Sequence, residues 1–241
     1  MDKIIPNWPA PSNIKAFAST RIGGFSPSPY QGLNLGMHVG DDPALVLRNR
    51  EWLQTISQMP SAPIWLNQTH STKIVQVERP TKVILDADGL VTTSRRVVCS
   101  VITADCLPVL ITNSQGTQVA AVHAGWRGLA GGIVENALHT ISGNPLVWLG
   151  PAIGAQAFEV GNDVRVAFCE RDADAAQAFL PTSQQGKWLA DMVQLVRLRL
   201  AKLGIEQIYA CNLCTYQNPQ QFYSYRRDGM TGRQASFIWM E

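Results

Sequence analysis

The segment TQVAAVHAGWRGLAGG, Thr117 to Gly132, decides how this chain is read. QVAAVHA is a short, unbroken apolar run bounded by turn residues, the pattern of a buried strand. Gly125, Gly128, Gly131 and Gly132 then punctuate the chain where a strand turns tightly toward a helix, and GGIVENALHTI has helical spacing. Outward from this segment, strand-like runs predominate: Ala16–Arg21, APIWLNQTH, TKIVQVE, VVCSVIT, ADCLPVLIT, LVWLGPAIG, IEQIYAC and SFIWM. Two further segments have apolar residues at helical spacing. One is Pro43–Ile56, with proline in its first turn. The other runs from Lys187 to Leu203, with Leu189, Met192, Val193, Val196, Leu200 and Leu203 on one stripe and Gly204 where a terminating glycine belongs. Strands outnumber helices and do not alternate strictly with them. This predicts an α+β fold of mixed sheets covered by helices. No linker interrupts the chain, so residues 1–241 read as one domain.

Composition narrows the function classes. The chain of 241 residues is 46% hydrophobic, with 20 basic and 18 acidic residues and a formal charge of +2. That balance predicts neither a nucleic-acid footprint nor a polybasic membrane patch. No apolar run reaches the length of a membrane span. MDKIIPNWPAPSNIKAF lacks the basic and apolar regions of a signal peptide, and five cysteines, an odd number, point to a reducing compartment. The expectation is a soluble cytoplasmic protein, monomer or homodimer, whose partners are small molecules.

Four histidines are present: His38, His70, His123 and His139. His70 closes IWLNQTH and His123 follows the apolar run TQVAAV in AVHAGWRG, while Cys106 follows the strand-like VCSVITAD. Strand ends are where side chains from distant parts of a sheet converge. Two imidazoles and a thiolate suit zinc, and three protein ligands leave a fourth position open for chemistry. The separations, 36 residues from His70 to Cys106 and 17 from Cys106 to His123, are not those of a local zinc ribbon. On residue types alone the competing reading stands: a small buried cysteine and two satisfied core histidines. Cys211 and Cys214 form a lone C-x-x-C with no second pair, read as structural or incidental. Cys99 and Cys169 read as core, and His139 as a late helical residue.

The glycines after His123 allow close backbone approach, and Arg127 offers a fork for phosphate or carboxylate; a surface ion pair is the competing role. Asn34 and His38 sit in the polar loop GLNLGMHVGDD, and Arg226 and Arg227 in FYSYRRDGMTGR. Arg21, Asn34 and Arg227 are the candidate substrate contacts, with solvated loop positions as the alternative.

The ordered motifs STRIGG (Ser19–Gly24), GLNLG (Gly32–Gly36), NQTH (Asn67–His70), TADCLPV (Thr103–Val109), HAGWRG (His123–Gly128), WLGPAIG (Trp148–Gly154) and YSYRRD (Tyr223–Asp228) span nearly the whole chain. Together they resemble the YfiH family, its enterobacterial members above all. Members are also called laccase-domain proteins, polyphenol oxidases or peptidoglycan editing factors. The resemblance implies a layered α/β/β/α sandwich, a zinc ion on His70, Cys106 and His123, and purine nucleoside activities: phosphorolysis of adenosine, inosine and methylthioadenosine, and deamination of adenosine. The C-x-x-C, with Asn212 and Leu213 between its cysteines, is not a family feature.

Four functions compete. The first is a zinc enzyme of purine nucleosides. Arg127 would hold phosphate, Phe25, Tyr30 or Trp126 would stack the base, and Asp105, beside a ligand, is the candidate acid or base. No H-x-E…P-C-x-x-C arrangement places the chain on the common zinc deaminase scaffold. The second is a laccase. A multicopper oxidase needs a blue-copper site and a separate copper cluster held by many imidazoles, and four histidines cannot supply both, so copper here would be adventitious. The third is a metal-free cysteine hydrolase with Cys106 as nucleophile and His123 or His70 as base, which would suit editing of peptidoglycan precursors. A binding module without catalysis is the fourth; a three-ligand metal site is an unusual thing to build for binding alone. The first is the expectation carried forward.

Overall fold

The computed structural model describes residues 2–241. Val119–Ala124 is a strand, buried along its whole length, and its side chains part to two faces with the period of two that a pleated strand imposes. Ala120, Val122 and Ala124 face helices, whereas Val119 and Ala121 face a second sheet. His123 shares the parity of the second set, which brings its ring to the end of the space between the sheets.

This strand is central in a six-stranded mixed sheet, in the order Ile208–Ala210, Pro145–Leu149, Leu107–Asn113, Val119–Ala124, Gly89–Thr92, Ile74–Gln76. The outermost pair on each side is parallel and the inner pairs are antiparallel. A four-stranded antiparallel sheet of Lys3–Ile4, Ile14–Ser19, Gln234–Met240 and Cys99–Thr103 lies against it. Three buried layers result. On the outer face of the smaller sheet, Phe17, Phe237 and Trp239 pack with Leu53 of helix α1 (Pro43–Ile56). Between the sheets lie Ala18, Val101, Leu110, Ala121, Trp148 and Ile238. On the far face of the larger sheet, Val109, Val122 and Leu149 pack against helices α2 (Trp126–Gly131), α3 (Ile133–Leu138), α4 (Asn162–Cys169) and α5 (Met192–Lys202). The order is α, β, β, α, the mixed-sheet sandwich expected. Each fully buried Val or Leu in these layers stabilises the fold by roughly 1.5–3 kcal/mol.

Local signals explain where the helices begin. Asp42 accepts a hydrogen bond from the Ala44 amide at 2.8 Å, and Pro43 opens α1 as expected. The helix expected from Lys187 starts only at Met192. Lys187–Ala190 is instead a strand between Glu159–Gly161 and Phe179–Pro181, and Asp191 ends it by accepting from the Gln194 amide at 2.9 Å. Sheet pairing through Trp188 overrides the helical spacing of that first turn, while Gly204 ends the segment with φ +71°. The helix read from GGIVENALHTI begins earlier, at Trp126, breaks at Gly132 (φ +100°) and resumes as α3. APIWLNQTH contributes only the short strand Leu66–Asn67. Among the described residues no helix is long and apolar enough to cross a membrane.

Candidate metal centre and its cavity

Cys99–Thr103 belongs to the smaller sheet and Leu107–Asn113 to the larger, so Ala104, Asp105 and Cys106 form the crossing between them. The next strand pairs Pro108 with His123, which sets Cys106 against the turn at Gly125. His70 arrives from a third direction, on the irregular chain between Leu66–Asn67 and Ile74–Gln76. The ligand atoms of His70, Cys106 and His123 lie within 4.8 Å of one another, and the two imidazole centroids are 4.8 Å apart with the rings tilted 70°. Two nitrogens and one sulfur at that separation can hold a metal ion of tetrahedral preference with one position left for another ligand.

The backbone is shaped around this set. His70 has φ +60° and Asp105 has φ +93°, conformations that cost roughly 1–3 kcal/mol at a non-glycine residue and persist only when the surroundings enforce them. Gly125 has an ordinary φ of −64°, yet a methyl group there would fall onto His70 Nδ1 and lie 3.2 Å from Cys106 Sγ. Gly125→Ala is therefore expected to fold with little change in stability but to bind metal at least tenfold more weakly. Metal content after dialysis, read beside a thermal melt, checks this; full metal occupancy would contradict the geometry.

Enforcement comes from Asp88, which is fully buried. Its carboxylate accepts from the Thr69, His70 and Ser71 amides at 3.1, 3.0 and 2.7 Å and from the Ser71 hydroxyl at 2.7 Å. It also accepts from His123 Nδ1 at 2.7 Å, while the Asp88 carbonyl accepts from the His123 amide, again at 2.7 Å. The first set holds the strained turn at His70. The imidazole bond fixes the tautomer, so that His123 Nε2 is the nitrogen left to ligate. Burial disfavours the Asp88 carboxylate, but the hydrogen bonds from His123 and Ser71 outweigh it and hold the group down to about 2. Burial likewise disfavours a charged His123, yet the Cys106 sulfur and Asp88 push it up to about 9. His70 is pulled below its ordinary value by burial and by His123. Sequence reading passed over Asp88. Its signal was that a ligating histidine needs a partner for its second ring nitrogen, and DADGL offers a carboxylate before a buried strand.

The three residues line a cavity of about 380 Å³. Its other walls include His38, Thr103, Trp126, Arg127, Tyr225 and Arg233, with no aspartate or glutamate among the lining residues. Arg127 is exposed, its guanidinium 4.3 Å over the Trp126 ring. Arg233 hydrogen-bonds the Thr231 and Gly232 carbonyls through one nitrogen, Nη1. His38 is held below its ordinary value by burial, then by Arg233, Arg50 and His123. The Thr103 hydroxyl is buried and has no hydrogen-bond partner in the protein. Such walls attract an anion.

Other candidates lie elsewhere, for visible reasons. Asn34 is fully buried. It donates to Asp41 and accepts from the Gly36 and Arg233 amides, so it braces the backbone behind the cavity and offers no substrate contact. Arg227 is spent on the Thr215, Tyr216 and Phe222 carbonyls and on Asp228. Arg21 donates to Pro219 and Gln31 carbonyls and stacks over Tyr223, facing a separate surface depression. The Asp105 carboxylate accepts from the Thr215 hydroxyl and from the Arg226 amide at the start of helix α6 (Tyr225–Asp228), which makes it a clamp on the crossing. Of the aromatics, Trp126 lines the cavity. Tyr30 is buried and bonds the Val39 carbonyl, and Phe25 packs on Trp52 and Arg48. Cys214 accepts a hydrogen bond from the Gly154 amide, and both it and Cys211 are free thiols.

The sequence model of the family described as "Multi-copper polyphenol oxidoreductase laccase" matches residues 15–241. "Purine nucleoside phosphorylase YfiH" of Escherichia coli K12 is 49% identical over 241 residues, covering 98% of each chain. "Purine nucleoside phosphorylase" of Haemophilus influenzae is 47% identical over 245 residues and covers both chains completely. Among solved structures, a Neisseria meningitidis protein of the DUF152 family superposes with a TM-score of 0.95 at 47% identity over the whole of both chains. YlmD from Geobacillus stearothermophilus does so with a TM-score of 0.84 at 28% identity, again over both whole chains.

Proposed function

The chain belongs to the YfiH family of laccase-domain proteins, and from that premise we propose that it is a zinc enzyme of purine nucleosides, a phosphorylase of adenosine, inosine and methylthioadenosine. One observation carries the reading: the His70, Cys106, His123 set opens into a cavity walled by Arg127, Arg233 and His38 and by no carboxylate. The relatives named purine nucleoside phosphorylase support the same substrate class.

Phosphorolysis needs an oxyanion delivered to the ribose C1′ and a base able to leave. Arg127 and Arg233 supply guanidinium groups that hold a phosphate by fork-shaped hydrogen bonds. Trp126 lines the cavity and offers an aromatic face to the nucleoside. A phosphate oxygen forms the bond to C1′ as the C1′–N9 bond breaks. The electron pair leaves with the purine, which takes the proton that hydrogen phosphate gives up, so ribose 1-phosphate and free base result. His70, Cys106 and His123 would hold a zinc ion, which would supply Lewis acidity to the reaction. Asp88 keeps His123 in the ligating tautomer throughout. A metal on the same residues would also suit adenosine deamination, which consumes water and no phosphate. Multicopper oxidation is not supported: with four histidines in the chain, His139 caps the end of α3 and His38 faces the cavity, so no second cluster can be assembled.

Mass spectrometry of adenosine incubated with zinc-loaded protein, with and without phosphate, is the test. Adenine and ribose 1-phosphate are expected only when phosphate is present, and inosine in either buffer would mark deamination. Adenosine left intact under every condition would end the nucleoside reading and make peptidoglycan precursors the next substrates.

A further inference from the structure

Beside the metal cavity lies a smaller recess of about 140 Å³, and the two share Ala104, Cys106, Trp126 and Tyr225 in their walls. Ile153, Phe158 and Met192 complete most of its lining. Asp105 and Arg226 also border it, but their polar groups are engaged. Asp105 accepts from Thr215 and the Arg226 amide, and the Arg226 guanidinium donates to the Glu159 carbonyl at 2.7 Å while lying 5.4 Å from the Phe158 ring. What remains open to a ligand is apolar and aromatic surface.

The two cavities make opposite demands. One is lined with arginines and histidines, the other with Phe158, Met192, Ile153 and the shared aromatic wall. Whatever fills both cavities must put an anion among the arginines and a flat aromatic group in the recess, with a polar junction at Cys106. A purine ribonucleoside with phosphate beside its sugar meets these demands.

Resting on the nucleoside activity proposed above, we propose that this recess is the nucleobase subsite. The purine packs against Phe158 and Trp126, and the ribose lies at the shared wall beside Cys106, where phosphate held by Arg127 and Arg233 approaches from the other side. Phe158 is thus a specificity-determining residue outside the metal set. Recognition by aromatic packing, with few polar groups to satisfy, selects for a purine's faces rather than for its ring substituents.

The test is equilibrium binding of free adenine by titration calorimetry, beside steady-state kinetics with adenosine and phosphate varied separately. Wild-type protein is expected to bind adenine with or without zinc, because of the three ligands only Cys106 borders the recess. Phe158→Ala is expected to weaken adenine binding, and to raise the adenosine KM, by about ten- to a hundredfold, the range that loss of one stacking partner produces. The phosphate KM should stay within about twofold. Phe158→Leu retains apolar bulk without the ring and should fall between, and thermal melts of both variants separate lost stacking from lost fold. Adenine binding unchanged in both variants, or abolished by removing zinc, would overturn the subsite while leaving the nucleoside reading standing. A wild-type protein that neither binds adenine nor turns over adenosine would overturn both.

Discussion

Cys106→Ala protein is expected to purify folded, to hold no stoichiometric zinc, and to turn over adenosine at least about a thousandfold more slowly than wild type. The fold should survive because Cys106 stands at the crossing between the sheets, only partly buried, and outside the three buried layers. The activity should not survive, because two imidazoles alone hold the ion weakly and Lewis-acid stabilisation contributes several kcal/mol to the barrier, with about 1.4 kcal/mol for each tenfold in rate. Metal analysis and phosphate-dependent release of adenine check both halves. Iodoacetamide separates this reading from that of a metal-free cysteine hydrolase. In zinc-loaded wild type, Cys106 should resist alkylation until a chelator is added, as a coordinated thiolate does. Immediate alkylation of Cys106 in the loaded protein, or full activity of the alanine variant, would remove the metal centre from the mechanism.

The second large effect is expected at Asp88, which touches no substrate. Asp88→Ala leaves the part-buried Thr69, His70 and Ser71 amides and the buried His123 ring without their acceptor. Each buried donor left unpaired costs about 1–3 kcal/mol, and breaking a buried hydrogen-bonded charge pair about 3–5 kcal/mol. We expect a loss of stability of about 3–5 kcal/mol, or a Tm lower by roughly 6–20 °C for a chain of this size. Zinc affinity should fall about ten- to a hundredfold, as it does when the partner of a ligating histidine is removed. Asp88→Asn keeps one carbonyl oxygen in place. It should recover much of the stability but not the affinity, since an amide cannot hold the His123 ring as a carboxylate does. Chelator competition alongside thermal melts reads the two effects apart. Wild-type affinity in both variants would reduce Asp88 to a structural residue.

Much of the architecture was legible before any coordinates. The apolar runs ending in His123, following Cys106 and beginning at Leu146 are strands, and Pro43–Ile56 is a helix with the residues expected. These segments are buried on one or both faces, so composition and period alone record their environment. Misreadings fell where tertiary contacts compete with local preference. The turn from Lys187 to Ala190 has helical spacing but pairs as a strand, and the run before His70 is mostly irregular because Asp88 gathers its amides. The polar residues divided the same way. Asn34 and Arg227 have the chemistry of substrate contacts, and nothing in their neighbours along the chain discloses that their hydrogen bonds are already taken by backbone.

By itself the sequence determined the layered α+β fold, the supply of one soft and two imidazole ligands at strand ends, and the shortage of histidines that denies a multicopper cluster. Only the tertiary structure decided that the three ligands meet, since residues 36 and 17 positions apart converge solely because one chain crossing joins the two sheets at Cys106. It also decided that Asp88 governs His70 and His123 together, and that an anion chamber and an aromatic recess share a wall at that crossing. The physical reason is common to all of these. Residue type and period are local properties written along the chain, whereas a ligand set, a buried carboxylate's partners and a cavity exist only between segments that folding brings together.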